Sequence, residues 1–359
     1  MGEQKIFLSD LHMGAGRPLG SEEYPYEWLT KRMAASCGSF LDYIGRDSNV
    51  REIILLGDVL DDNVCPIDRR PPSFKDILDA EKNRDLVNKL QGLARSKELH
   101  FVRGNHDIAV TRQQLQAALP GIIVHENGIF EDGGLTALHG HQHLMWCAED
   151  TRPENKFPKL PPGYFLSRIG ATKQNRFYTK EFKSLIELVK IIKRTLDENS
   201  KSIVELAFKA AWKWAEIGDK EKVVMPDKEY SFDEITANYA GLYDLWRKIH
   251  KGEPSVNFLI AGHITAIRWE SRDKQGKTLV INGHSHHSSI GKCREKIPTS
   301  GPVYADCGAW CTDKPTFVRV DKIADQKKFK VTVEYWNDRL KKTERPGEIR
   351  YAETEAVPV

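Results

Sequence analysis

The chain of 359 residues is longer than one small domain, which predicts either a large domain with an insertion or two domains. Apolar residues make up 40% of it and charged residues 29%, a balance that excludes a disordered chain. The 54 Lys and Arg residues nearly balance the 51 Asp and Glu residues, so the net charge of +3 excludes nucleic-acid recognition by bulk charge alone.

The N-terminus and the cysteines indicate where the protein resides. The first ten residues, MGEQKIFLSD, predict a strand instead of a signal peptide, and no apolar run is long enough to span a membrane. Six cysteines lie without the spacing of a disulfide framework, which is typical of reduced thiols, so we expect a cytoplasmic protein. Cys307 and Cys311 have the spacing of half a metal site, but no second pair accompanies them, and both are interpreted as buried thiols.

Short apolar runs recur along the chain, and each ends in Gly, Asp, Asn or His. Their β-branched residues and bounding glycines predict buried strands, separated early in the chain by helices over 26–46 and 74–96. This alternation favours an α/β architecture with largely parallel pairing, in which polar residues at the carboxyl ends of strands converge. The predicted strands lie at 5–10, 52–58, 99–105, 135–141, 256–263, 278–284 and 302–308.

The composition of the sequence changes after residue 150, where a Pro-rich connector, RPENKFPKLPPG, begins. Apolar residues with helical period predict helices over 182–196 and 203–212, and a capping box of Ser231 and Glu234 predicts a third, with one apolar face continuing to Ile249. After residue 314, TFVRV and KVTVEYW predict an antiparallel pair. We expect a core of 1–150 and 251–340, a helical cap insertion of 151–250, and a C-terminal tail of 341–359 that is either an ordered edge or loose.

Basic residues are dense in the first half of the predicted cap. One interpretation is an ordinary solvated helix face; the other is a surface that attracts a phosphate-bearing substrate. The residues are Arg168, Lys173, Arg176, Lys180, Lys183, Lys190, Lys193 and Arg194.

The polar residues at the predicted strand ends form a mixed set of carboxylate, imidazole and amide ligands. Such a set suits Mn, Fe, Zn, Co or Ni better than Ca or Mg, and the absence of thiolates from it argues against a structural zinc site of the finger type. The set is too large for one tetrahedral ion and fits two ions that share a carboxylate. Its members are Asp10 and His12, Asp58 and Asp61, Asn105, His106 and Asp107, His139, and His284 and His286.

A pair of metal ions is the usual device for displacement at phosphorus, because it generates hydroxide near neutral pH and neutralises phosphoryl oxygens. The leaving group then needs a proton. His106, between Asn105 and Asp107, is the predicted general acid, and Asp107 is predicted to orient its ring.

In this order, the motifs DLH, GDVLD, GNHD, HGH and GHSH resemble those of the calcineurin-like metallophosphoesterase superfamily, over roughly 3–145 and 253–335. The resemblance implies a four-layer α/β/β/α sandwich and a phosphoesterase with two divalent ions, Mn²⁺ first and Fe, Zn, Co or Ni as alternatives. It assigns Asp61 a hydrogen-bonding role, while the motif GHIT leaves His263 as an alternative to the last histidine pair. One ion would take Asp10, His12, Asp58 and His286, and the other Asp58, Asn105, His139 and His284.

The resemblance leaves the phosphoester open among monoesters, diesters and pyrophosphates. The cap is placed as in UDP-2,3-diacylglucosamine pyrophosphatases, which have Arg in place of His106 and HGD in place of HGH. A nuclease acting on DNA or RNA is the alternative, with Trp212, Trp214 and Tyr239 either stacking on bases or packing helices. A peripheral membrane contact and a non-catalytic scaffold are also open. His141, His143 and His287 flank ligand positions and either bind phosphate or are solvated.

Overall fold

The computed structural model describes residues 3–16, 27–177, 203–249, 278–292, 303–323, 328–344 and 349–353. The helix predicted over 182–196, the strand predicted over 256–263 and the alternative ligand His263 lie outside the described residues.

The strands of the described residues form two large sheets and one hairpin. The first strands are β1 (Gln4–Leu8), β2 (Val50–Leu56), β3 (Glu98–Val102), β4 (Ile123–His125), β5 (Ile129–Asp132), β6 (Leu135–Leu138), β7 (Lys222–Val224) and β8 (Glu229–Ser231). The later strands are β9 (Leu279–Asn282), β10 (Ser289–Lys292), β11 (Val303–Asp306), β12 (Thr316–Ile323), β13 (Lys328–Asn337), β14 (Lys342–Glu344) and β15 (Ile349–Glu353).

The larger sheet has the order β14-β13-β12-β1-β2-β3-β4, with β15 also paired to β13. Strands β1 to β4 are parallel to one another, whereas β12 runs antiparallel to β1 and to β13. The predicted antiparallel closing pair is therefore confirmed. Because β14 and β15 both pair with β13, the described parts of the C-terminal tail form an ordered edge.

The smaller sheet has the order β10-β11-β9-β6-β5, and it packs face to face on the larger one. Successive side chains of a strand point to opposite faces of the sheet, which explains the packing. Ile54 of β2 joins Ile281 of β9 in the cluster between the sheets, while Ile53 faces the helices. Strands buried on both faces read as continuous apolar runs, which is why the sequence predicts them well. The predicted α/β sandwich of two packed sheets is confirmed.

Helices cover the outer face of the larger sheet. They are α1 (Lys31–Arg46), α2 (Phe74–Asp79), α3 (Glu81–Ser96) and α4 (Arg112–Ala118). The single helix predicted over 74–96 is wrong in one respect, because Ala80 takes φ −56° and ψ 129° and divides it into α2 and α3. Helix α1 begins later than predicted, where the Thr30 side chain caps it by accepting a hydrogen bond from the N–H of Met33.

The cap residues form a separate apolar cluster built around Phe165, Phe208 and Tyr239, which Ile67 and Met145 of the core also join. The helices described in the cap are α5 (Pro162–Phe177), α6 (Ile203–Trp214), α7 (Phe232–Asn238) and α8 (Leu242–Ile249). The capping box of Ser231 and Glu234 is confirmed at the start of α7. The helix predicted to continue to Ile249 is two helices, since Gly241 has a φ of 76° and ends the regular turn.

Aromatic side chains of the cap pack its helices. Tyr239 is fully buried and donates a hydrogen bond to the carbonyl of Leu160, and Trp212 lies edge-on against Phe232. Trp214 is partly buried beside Lys173. These contacts favour the packing interpretation over base stacking.

Arg168 links the cap to the core. For this residue, neither interpretation of the basic cap residues is correct. Its side chain is fully buried, and its guanidinium donates to the carbonyls of Cys65, Pro66 and Val224 at 3.1, 2.7 and 2.7 Å. It is therefore neither solvated nor available to a phosphate. Lys173 forms an ion pair with Glu216 at 2.8 Å. The residues Lys180, Lys183, Lys190, Lys193 and Arg194 and the side chain of Arg176 lie outside the described part of the chain.

None of the described helices combines the length and the apolar character that crossing a bilayer requires. The boundaries between the core, the cap and the tail stay predictions.

Candidate metal centre

The predicted ligand residues lie at adjacent strand ends. Asp10 and Asp58 each follow their strand, β1 or β2, by two residues, and Asn105 follows β3 by three. Because these strands are parallel neighbours, their carboxyl ends lie at one edge of the larger sheet. His139 directly follows β6 and His284 follows β9 in the smaller sheet. Both sheets therefore deliver side chains to the same place.

Two groups of ligand atoms share Asp58. One contains Asp10, His12 and Asp58, the other Asp58, His139 and His284, and within each group the ligand atoms lie within 4.8 Å of one another. The Oδ2 atom of Asp58 lies 3.1 Å from Nε2 of His139 and 3.8 Å from Nε2 of His12. His286 joins the first group, since its Nε2 lies 3.1 Å from Oδ1 of Asp10. The structure thus brings these predicted residues together around one aspartate.

Each of the two central carboxylates has one oxygen held by the backbone and the other aimed into the centre. Oδ2 of Asp10 accepts a hydrogen bond from the N–H of His284 at 2.9 Å, and Oδ1 of Asp58 accepts one from the N–H of His106 at 2.8 Å. The remaining oxygens face imidazole nitrogens. This arrangement fixes the side-chain rotamers while leaving one ligand atom of each carboxylate for an ion.

The backbone is strained where the candidate ligands lie. Asp10, His12, Asp58, His284 and His286 all have positive φ, between 50° and 66°. A left-handed conformation at a residue other than glycine costs about 1–3 kcal/mol and persists where the surroundings enforce it, commonly at functional sites. The concentration of such residues here is an independent mark of the site.

Motif glycines allow the strand ends to approach one another. A Cβ atom on Gly104 would lie 2.2 Å from Oδ1 and 2.3 Å from the backbone N of Asp58. A Cβ atom on Gly283 would lie 1.8 Å from Oγ of Ser9 and 2.8 Å from Oδ2 of Asp10. Neither position has space for a side chain while both aspartates keep their places.

We expect Gly104→Ala to lower the free energy of unfolding by about 1–3 kcal/mol, because the added methyl group displaces Asp58. Urea denaturation measures the loss, and metal analysis of the dialysed protein is expected to show fewer bound ions. Gly92→Ala is the control: this glycine lies within α3 with no atom within 4 Å of an added Cβ, and alanine there should stabilise by about 0.5–1 kcal/mol. Equal behaviour of the two variants would contradict the role of Gly104.

The donor set fits divalent ions. Within the part of the chain that the structure describes, Oδ1 of Asp10, Oδ1 of Asn105 and Nε2 of His139 are buried and make no well-directed hydrogen bond. Burying an atom such as Oδ1 of Asn105 without a partner costs about 1–3 kcal/mol, so native proteins rarely do so. A bound cation would satisfy carboxylate, amide and imidazole donors together.

The electrostatics of the centre also favour cations. Burial alone would raise the pKa of Asp10, but His286 and His139 hold it well below its ordinary value. Burial would lower the pKa of His139, but Asp58 and Asp10 raise it to about 9. In the same way, Asp10 outweighs burial and raises the pKa of His286 to about 10. The carboxylates stay ionised at neutral pH, and their charge stabilises positive charge placed between them.

Asp61 positions two histidine rings. Its Oδ2 lies 3.0 Å from Nδ1 of His12, and its Oδ1 lies 3.2 Å from Nδ1 of His106. The Nε2 atoms of the two rings therefore point toward Asp58, at 3.8 and 4.0 Å from its Oδ2. A carboxylate behind a ligand imidazole fixes the ring and keeps the facing nitrogen available.

The predicted role of Asp107 is wrong. Its carboxylate accepts hydrogen bonds from the backbone N–H groups of Val59, Leu60 and Gly104, at 3.3, 2.9 and 3.1 Å. It thereby ties the loop after β2 to the loop after β3. These bonds occupy both oxygens, so Asp61 and not Asp107 faces the ring of His106.

The flanking histidines and the two cysteines differ from one another in burial. His141 and His143 are buried, so neither is solvated, whereas His287 is exposed. Cys307 is a buried thiol as interpreted, but Cys311 is only partly buried, and its Sγ lies within 4.8 Å of nitrogens of both His12 and His286. The spacing of the two cysteines was the one sequence signal for this position.

Trp28 is the neighbour of the centre that the sequence did not reveal. Its ring stacks on His12 with a centroid distance of 4.9 Å and an interplanar angle of 16°, and it meets His286 edge-on at 5.1 Å. It lies just before α1, in a segment without strand or motif pattern. Its contacts shield the first group of ligand atoms from one side.

A model of the calcineurin-like phosphoesterase family matches residues 6–288. No curated protein matches the chain. Among solved structures, Vacuolar Protein Sorting 29 from Cryptosporidium parvum is similar with 11% identity and a TM-score of 0.35, over 99% of this chain and 100% of that one. Vps29 from Chaetomium thermophilum is similar with 9% identity and a TM-score of 0.35, over 98% and 100%. Nuclease MPE from Pseudomonas putida is 18% identical with a TM-score of 0.22, over 38% and 53%. With TM-scores this low, the three structures carry no functional conclusion for this chain.

Proposed function

The chain belongs to the calcineurin-like phosphoesterase family, and on that premise we propose that it is an enzyme that hydrolyses a phosphoester with two divalent ions. The observation that carries the proposal is the buried carboxylate of Asp58, shared by two groups of ligand atoms. A non-catalytic scaffold would have no need to keep the strained ligand residues described above. The proposed substrate is a phosphate-containing molecule, and the proposed location is the cytoplasm.

We propose Asp10, His12, Asp58 and His286 as the ligands of one ion. The ligands of the other are proposed to be Asp58, Asn105, His139 and His284. When bound, the two ions would supply an activated water and neutralise charge on the phosphoryl oxygens. Among the described residues, both sets contain buried metal-ligand atoms that make no well-directed hydrogen bond, which supports the assignment.

His106 is the proposed general acid. Its Nε2 lies 4.0 Å from Oδ2 of the shared Asp58, beside the centre, and Asp61 holds the opposite side of its ring. From there Nε2 can give its proton to the leaving oxygen, after which Asp61 stabilises the ring in its remaining tautomer. Burial would lower the pKa of His106, but Asp61 and Asp58 raise it, which favours the protonated ring.

The proposed ion is Mn²⁺, with Fe, Zn, Co and Ni as alternatives for a mixed set of oxygen and nitrogen donors. Cys311 beside His12 and His286 adds a soft donor at the edge of the first group. If its thiolate joined the ligands, the preference there would move toward zinc or iron.

The decisive experiment is hydrolysis of an aryl phosphate monoester and of the corresponding diester, with added Mn²⁺ and with a chelator. We expect Mn²⁺-dependent release of the aryl alcohol that the chelator abolishes and excess Mn²⁺ restores. A preference for the diester would favour a nuclease or phosphodiesterase. Absence of hydrolysis of both substrates, with two ions bound per chain, would overturn the proposal and favour a non-catalytic scaffold.

A further inference from the structure

A second group of metal-ligating side chains lies at the opposite ends of the strands. Glu52 and Glu98 are paired neighbours on β2 and β3, and His100 lies two residues beyond Glu98 on the same face. Glu52 precedes Asp58 by six residues of extended chain, which places it about 20 Å from the shared carboxylate. The group is therefore separate from the centre described above. It lies at the rim of the gap between the sheets, where the rings of His100 and Phe130 meet edge-on at 5.1 Å.

The distances in this group suit a coordinated ion better than hydrogen bonds. Nε2 of His100 lies 3.6 Å from Oε2 of Glu52 and 3.8 Å from Oε2 of Glu98, and all three atoms lie within 4.8 Å of one another. Separations of this size are too long for hydrogen bonds. Ligand bonds of about 2.1 Å at a tetrahedral angle place neighbouring donor atoms about 3.4 Å apart, so small side-chain movements would complete a site.

The Nε2 atom of His100 is aimed into the group. The residue is only 6% exposed, and its Nε2 is buried without a hydrogen bond to any residue the structure describes. A buried ring nitrogen in that state is costly unless something occupies the space before it. The side chain of Glu98, by contrast, is 68% exposed, which gives an ion a path from solvent.

The hydrogen bond behind His100 is compatible with the tautomer that a metal requires. Nδ1 of His100 lies 3.1 Å from Nε2 of His125, so the two rings share one proton at this contact. When His100 donates that proton from Nδ1, its own Nε2 carries a lone pair. A lone pair facing two carboxylates is repulsive without a cation between them.

The charges around the group leave room for a divalent ion. Lys5 pairs with Oε1 of Glu52 and, at 3.0 Å, with Asp132, so Oε2 of Glu52 is left to face His100. Among the described residues in these contacts, the carboxylates of Glu52, Glu98 and Asp132 are opposed by the ammonium of Lys5. A divalent cation would balance the remainder.

We propose that Glu52, Glu98 and His100 form a separate site for a borderline divalent ion, with Zn²⁺ preferred and water completing its coordination. One imidazole and two carboxylates are suitable zinc ligands, and a hydrogen bond between Nδ1 of His100 and Nε2 of His125 would fix the orientation of the His100 ring. An ion here would link the first halves of β2 and β3 at the rim of the two sheets.

The test is the zinc stoichiometry of the full chain, measured by titration against a competing chelator with metal analysis. We expect His100→Gln and Glu98→Gln each to bind one equivalent less than the wild type, a difference that does not depend on how many ions the other centre holds. Glu131→Gln is the matched control, because this exposed carboxylate of β5 lies on the face opposite Phe130, and it should keep the wild-type stoichiometry.

If the buried His100 is needed for folding, Glu98→Gln still tests the site, because the Glu98 side chain is largely exposed and its replacement should leave the fold intact. Thermal unfolding with and without zinc adds a second readout, in which the midpoint increase caused by zinc should shrink in Glu98→Gln. Wild-type stoichiometry in Glu98→Gln would overturn the proposal.

Discussion

Asp58→Asn is expected to abolish hydrolysis and to weaken the binding of both ions. Oδ2 of Asp58 lies 3.1 Å from Nε2 of His139 and 3.8 Å from Nε2 of His12, so one atom serves both groups of ligands. An amide cannot bridge two cations as a charged carboxylate does. We expect kcat/KM to fall by about 10³-fold or more, equivalent to about 4 kcal/mol of barrier. Hydrolysis assays with Mn²⁺ and metal analysis of the dialysed protein measure the two effects.

Asparagine is the appropriate replacement because it tolerates the backbone at this position. Asp58 has a φ of 50°, and Asn visits the left-handed region about as readily as Asp does, so loss of activity would not stem from an unfolded chain. Asp68→Asn is the control, since it makes the same change of charge at an exposed residue of the following loop. A variant of Asp58 that kept its activity, or kept two ions, would contradict the shared-carboxylate model.

The sequence predicts the strands and the site because both depend on short-range patterns. The second half of β2, residues 53–56, is buried on both faces and reads as a continuous apolar run. Parallel pairing then brings the residues after each strand to one edge, so the order of strands and motifs along the chain is enough to place Asp10, Asp58 and Asn105 together.

Other features are invisible in the sequence because they depend on where a loop turns. Asp107 follows His106 directly, yet its carboxylate turns toward the backbone of the β2 loop, whereas Asp61, far away in sequence, reaches the ring. Adjacency along the chain therefore indicates the wrong partner. Trp28 and Cys311 reach the centre from segments with no strand pattern.

The basic residues of the cap show a second limit of prediction from sequence, because a sequence does not show which charged side chains are exposed to solvent. Arg168 satisfies backbone carbonyls in the interior, where its charge is not presented to a ligand. A helical pattern also fails to show where a helix breaks. Ala80 and Gly241 each divide a predicted helix through a single backbone conformation.

His106→Gln is expected to slow hydrolysis while leaving the metal content unchanged. Gln keeps a polar side chain of similar length but cannot release a proton at neutral pH, so the leaving oxygen loses its acid. General acid catalysis contributes about 10²–10⁴-fold, and we expect a loss of kcat in that range for poor leaving groups such as alkyl phosphates. An activated aryl phosphate needs little protonation and should lose much less, which makes it the internal control.

The dependence of rate on leaving-group pKa separates this role of His106 from others. Removing a general acid should steepen the decline of kcat with rising leaving-group pKa, whereas removing a residue that only binds phosphate should lower the rates of all substrates alike. Loss of an ion in His106→Gln would make His106 a ligand, in conflict with a ring held at Nδ1 by Asp61 and placed 4.0 Å from Oδ2 of Asp58. Unchanged slopes together with full metal content would assign the proton to another group at the centre.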